Sequence, residues 1–156
     1  MPFFVSWPGH VPAGKVYDHP VIQFDVFPMA MKAAGAAVPA DAKLEGVDLF
    51  PYLTGEKSEP PHEALYWRFG QQMAIRKGDW KLVAYDPVVN GGRGKATPKN
   101  LYNLANDLGE EQDLAASEPE KVQELQAVWD EWNESNIPPK WGSGGGNRRA
   151  RRAAVR

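Results

Sequence analysis

Few groups in this 156-residue chain can do chemistry. There is no cysteine, which excludes disulfides, thiolate metal sites and a cysteine nucleophile. The histidines are His10, His19 and His62, and no two stand at the i, i+3 or i+4 spacing of a ligand pair. A protein-only metal site needs roughly three or four converging ligands, and no HExxH occurs. Asp18-His19 and His62-Glu63 read as polar loop pairs. His62 has a second reading, because it lies just before the first strand of a sheet, within reach of a substrate. No Gly-x-Ser-x-Gly elbow is present, and Ser6 is followed by Trp7-Pro8, so a serine triad is not supported. The run Asn90-Gly91-Gly92-Arg93-Gly94-Lys95-Ala96 fails as a phosphate loop. Val89 stands where the first glycine is needed and Ala96 where a hydroxyl is needed, so it reads as a loop between strands.

Trp67, Arg68 and Gln72 form the most suggestive set. An aromatic, a cation and an amide at a strand–loop–strand edge suit an anionic, sugar-like ligand, held by stacking and charge-assisted hydrogen bonds. The competing reading makes Trp67 a core residue and leaves Arg68 on the solvated face.

The elements that must position these groups follow from periodicity. Phe3–Trp7 reads as a short buried strand closed by Pro8-Gly9. Phe24, Phe27 and Met31 recur at helical spacing over about residues 20–34. Asp18 or Asp25 suits the cap, Gly35 suits the end, and Pro28 is harmless if the regular helix starts near Asp25. Val47–Leu53 reads as one helical turn ended by Gly55. After a polar loop at Glu56–Glu63 the period changes to two. Leu65, Trp67 and Phe69 alternate with Tyr66 and Arg68, and Met73–Arg76, Trp80–Tyr85 and Leu101–Leu104 complete a small antiparallel sheet. Gly78-Asp79 suits a tight hairpin turn. A last helix runs from about Glu118 to Ser135, with Ser117 and Glu120 at capping-box spacing and a stripe of Val122, Leu125, Trp129 and Trp132 to cover the sheet.

Charge separates the body from the tail. Of 18 Lys and Arg, Arg148, Arg149, Arg151, Arg152 and Arg156 lie after residue 147, leaving 13 against 20 Asp and Glu, a body charge of −7. An acidic body does not suit nucleic acid, and the Gly/Arg stretch at 142–156 reads as a disordered, solvated tail. A polyanion-binding tail is the alternative, marked by steep salt dependence. No apolar run approaches the ~20 residues of a membrane span, and the first residues lack the basic and apolar regions of a signal peptide.

Four ordered segments resemble the C-terminal third of a sulfatase of the arylsulfatase-like group, in the alkaline-phosphatase superfamily. Pro2-Phe3-Phe4-Val5-Ser6-Trp7-Pro8-Gly9 with Val11-Pro12-Ala13-Gly14 resembles "VPFxxxWPGxxPAG". Val21 through Gly35, with Asp25, Phe27, Pro28 and Ala33-Ala34-Gly35, resembles "DxxPTxxxxAG", with Met29 at the usual Thr. Leu44-Glu45-Gly46-Val47-Asp48-Leu49 with Leu53-Thr54-Gly55 is similar to "LDGxxLxPLLxG". Ala74-Ile75-Arg76-Lys77-Gly78-Asp79-Trp80-Lys81-Leu82, then Leu101-Tyr102-Asn103-Leu104 and Asp107 to Ala115, resembles "AxRxGxWKL" followed by "LYxLxxDPxExxNLA". Here Leu108 replaces the usual Pro and Asp113 the usual Asn.

The resemblance implies an α/β architecture. Residues 1–55 would be the end of a large mixed-sheet domain. Residues 56–141 would be a small four-stranded antiparallel sheet packed by a C-terminal helix. It implies a parent that hydrolyses sulfate esters, sulfated carbohydrates being a candidate class, with calcium and a formylglycine made from a Cys/Ser-x-Pro-x-Arg motif. That motif, the metal-holding acidic pairs and the sulfate-contacting lysine have no counterpart here. The chain therefore reads as a C-terminal fragment, inactive alone, whose partner is the missing N-terminal catalytic part. Its own role would be to complete the fold and the substrate cleft, with His62, Trp67, Arg68 and Gln72 as cleft contacts. The alternative is a free-standing binding module for sulfated glycans. Bacterial relatives are often exported, which points to a periplasmic or secreted parent. A fragment lacking its sheet should expose apolar surface at Phe3, Phe4, Phe24 and Phe27.

Overall fold

The computed structural model describes residues 3–39, 41–87 and 97–137. The glycine-rich run at 90–96 and the tail at 142–156 lie outside the described residues. The chain divides into two compact units, Met1–Glu63 and Ala64–Arg156.

The first unit is mostly irregular. Its regular elements are a 3-10 turn at Gln23–Asp25, α1 at Val26–Ala33 and α2 at Phe50–Thr54. Pro28 falls in the first turn of α1, where a missing N–H costs no helical bond. Gly35 ends the helix with φ of 67°. Its N–H reaches Lys32 O while that of Ala36 reaches Met31 O, the paired closure that a left-handed glycine permits. Gly55, with φ of 88°, ends α2 in the same region. Met29, Leu49 and Tyr52 form the core, with Val5, Tyr17, Val21 and Val47 packed around them.

Phe3–Trp7 forms no strand among the described residues. A strand needs a neighbouring backbone to pair with, and none of the described segments supplies one. Phe3, Phe4, Phe24 and Phe27 are 48%, 88%, 49% and 52% exposed, as expected of an unpartnered apolar face.

The second unit is a meander closed by one helix. Strands β1 (Ala64–Phe69), β2 (Gln72–Lys77), β3 (Trp80–Ala84) and β4 (Asn100–Asn103) lie side by side in chain order. Lys77 pairs with Trp80, so Gly78-Asp79 is a two-residue hairpin with Gly78 at φ of 59°. Tyr66, Ile75, Leu82 and Leu101 are directly opposite one another across the sheet and form one apolar row. Helix α3 (Pro119–Glu134) lays Val122, Leu125, Trp129 and Trp132 on this face. Trp132 stacks on Tyr66 at 4.9 Å.

The start of α3 differs from expectation. Ser117 and Glu120 do not form a capping box. Ser117 Oγ donates to Leu114 O, and Pro119 opens the helix instead. No helix among the described residues is long and apolar enough to cross a membrane.

The loop from β4 to α3 is tied down by two carboxylates. Asp107 accepts the N–H groups of Glu111 and Gln112. Asp113 accepts those of Leu101 and Ala115, and the amide of Asn100. Backbone hydrogen bonds, from Gln112 and Leu101 respectively, are the main cause holding both carboxyls below the usual carboxylate range. The sign follows. Their stabilisation is complete above the ordinary carboxylate pKa and is lost as pH falls through the depressed one. Asp113→Ala should therefore lower the melting temperature near about pH 7 and make little difference near about pH 2. Thermal melts across that range check this, and a pH-independent deficit would refute it.

Candidate functional site

His62 belongs to the first unit and is not a free imidazole. Its Nε2 lies 2.9 Å from Asp25 Oδ1 and 3.0 Å from Oδ2. The side chains are 8% and 0% exposed. A carboxylate only accepts, so Nε2 carries the hydrogen. Asp25 also accepts the N–H of Ile22 at 2.9 Å and that of Val47 at 2.9 Å. Asp25 stands at the N-cap position of α1, as the sequence suggested, but its side chain makes no capping bond to that helix. It joins the segments before α1, before α2 and before β1. Gly46 is part of the same arrangement. A Cβ there would stand 2.1 Å from Phe24 O, so only glycine lets the chain carry Val47 to the carboxylate.

His10 and His19 sit apart from this knot. His10 stacks on Trp7 at 3.9 Å and 9°, with Nδ1 3.3 Å from Pro8 O. His19 is tilted against Tyr17 at 5.3 Å. The first unit also has an open, mostly apolar cleft of about 720 Å³ between Phe3–Val16 and Leu53. Lys15 Nζ, on its wall, donates to Leu53 O at 3.0 Å.

The second unit separates the other candidate residues. In β1, Trp67 faces away from α3 and is 39% exposed. Gln72 lies on that same face. Arg68 points to the opposite face, where its guanidinium donates to Asn133 Oδ1 and to Ile137 O at 2.5 Å. A cation at this place complements the carbonyl end of α3. So Trp67 is not a core residue, and Arg68 is neither solvated nor beside the Trp67 ring. The sequence showed the alternation but not which face the helix takes. The stacking of Tyr66 on Trp132 decides it.

Among the described residues no three His, Asp or Glu side chains gather where they could hold a cation. The described residues therefore do not fit calcium, and the sequence has no Cys/Ser-x-Pro-x-Arg from which a formylglycine is made.

No family model matches the chain. Individual proteins do. It is 29% identical to the uncharacterized sulfatase YdeN of Escherichia coli K12, over 88% of this chain and 30% of that protein. It is 38% identical to human steryl-sulfatase, over 59% of this chain and 18% of that one. The solved structure of Ps i-CgsB superposes with a TM-score of 0.70 and 26% identity, covering 96% of this chain and 32% of that one. The chain is similar to the sulfatases. It corresponds to a C-terminal portion of the fold, the alkaline-phosphatase-like part with the small antiparallel sheet and its helix. It spans less than a third of the length of these sulfatases. Ps i-CgsB is also solved in complex with k-i-k-neocarrahexaose.

In this sulfatase portion the Asp25–His62 pair acts as a latch. His62→Ala leaves a buried carboxylate short of a hydrogen-bond donor and should cost roughly 1.5–3 kcal/mol. Gly46→Ala should be destabilising by the same route, through displaced backbone. Urea unfolding of both variants measures this, and losses near zero would remove the latch.

Proposed function

We propose that this chain is the C-terminal part of a sulfuric ester hydrolase and that it completes the fold and the substrate cleft without catalysing the reaction itself. The observation that carries this reading is the ordered likeness to sulfatases over 88% of the chain, joined to a sequence with no Cys/Ser-x-Pro-x-Arg motif and no cation-holding cluster among the described residues. Under it, the parent enzyme would carry calcium and a formylglycine on an N-terminal catalytic part. The substrate would be a sulfated carbohydrate, a class supported by the oligosaccharide complex of Ps i-CgsB. The apolar surface at Phe3, Phe4, Phe24 and Phe27 would be covered by that partner. The free-standing glycan module through the Trp67/Arg68 edge is the weaker reading, since the Arg68 guanidinium is already held by Asn133 and Ile137.

The test is a co-expression experiment. The chain alone should release no sulfate from 4-nitrophenyl sulfate. Co-purification with a polypeptide bearing Cys/Ser-x-Pro-x-Arg, and sulfate release by the pair, would support the proposal. Sulfate release by the chain alone at an enzymatic rate would refute it.

A further inference from the structure

The two units are held by unequal means. In the second, seven buried residues on β2, β3, β4 and α3 form one cluster, and three antiparallel ladders pair the backbone around it. In the first, the buried cluster consists of Met29, Leu49 and Tyr52. Its α-helices have 8 and 5 residues. Helices shorter than about 12 residues are marginal unless packing holds them. Phe24 and Phe27, beside and within α1, are half exposed and add little to that packing. Fixing the backbone costs a similar amount of entropy per residue in both units, and the first offsets it with far less burial.

What closes the first unit is polar and concentrated at one point. The Asp25 carboxylate takes hydrogen bonds from Ile22, Val47 and His62, which lie 3, 22 and 37 positions away. One group thus joins nearly the full length of an irregular segment, and its loss frees that segment as a whole. The second unit has its own acceptors, Asp107 and Asp113, which bind N–H groups of its long return loop. Segments with few buried apolar contacts open locally, in cooperative blocks, at a free energy below that of global unfolding.

We infer that the first unit is a conformational switch released at the Asp25–His62 contact: it opens as one block while the second unit stays folded. Opening adds Met29, Leu49 and Tyr52 to the apolar surface already shown by the phenylalanines. Proteases act on such an opened form in proportion to its population when reclosing is fast. The switch therefore makes the free chain open to turnover at one end and resistant at the other. It rests on the two cores alone, so it stands or falls separately from the sulfatase reading.

Hydrogen exchange of the full chain, read by mass spectrometry on peptides of each unit at rising urea, tests this. Peptides covering α1 and α2 should lose protection together and exchange at least about a hundredfold faster than those of β2, β3 and α3. His62→Ala should speed exchange in the first unit by about tenfold or more and leave the second unchanged. A His62→Ala chain whose first unit has no protection left, with β2, β3 and α3 still protected, would support the switch equally. Asp113→Ala is the control in the other direction: it should speed exchange in the second unit and leave the first as it was. Loss of protection in both units at one common urea concentration, equal acceleration of both by His62→Ala, or a first unit that outlasts the second would each overturn the inference.

Discussion

A buried carboxylate organises the first unit. Asp25 has no contact with solvent, and a bare charge so placed is strongly disfavoured. The donors that offset this come from three places in the chain: Ile22, Val47 and His62. Each of those segments is irregular, and none has a ladder or helix to hold it. The carboxylate therefore replaces secondary structure as the device that fixes their positions. Gly46 follows from the same constraint. To bring the Val47 N–H to the carboxylate, the backbone must pass over Phe24 O so closely that a side chain has no room.

The second unit is held differently. Its core is built around one row of four residues, Tyr66, Ile75, Leu82 and Leu101, one per strand, joined by Met73 and Ala84 and covered by Leu125 and Trp129 of the helix. The long return from β4 to α3 has little regular structure, and Asp107 and Asp113 bind its N–H groups in place of a ladder. Both units thus use acidic side chains as backbone acceptors where the chain is irregular. That gives a physical meaning to Asp25, Asp107 and Asp113, the acidic positions in the motifs that resemble those of sulfatases: in this chain they hold backbone N–H groups.

The sheet and the last helix were legible because their signals are local. A period of two, a Gly-Asp turn and an apolar helical stripe each depend on a few neighbouring residues. The end of α1 at Gly35 was legible for the same reason. The role of His62 was not, because its partner lies 37 residues away and nothing in either local sequence links them. Arg68 was misplaced because alternation gives two faces without saying which one the helix covers. Phe3–Trp7 has strand composition, but composition supplies no partner backbone.

The strand order of the second unit bears on how the polypeptide acquires its shape. Every strand pairs with its immediate neighbour in the chain, through two turns of two residues each and one longer connection. Such a meander has low contact order, so little entropy is lost in bringing distant parts together before contacts form. Its β1–β2–β3 hairpins can therefore assemble while the ribosome is still delivering the helix that will seal them.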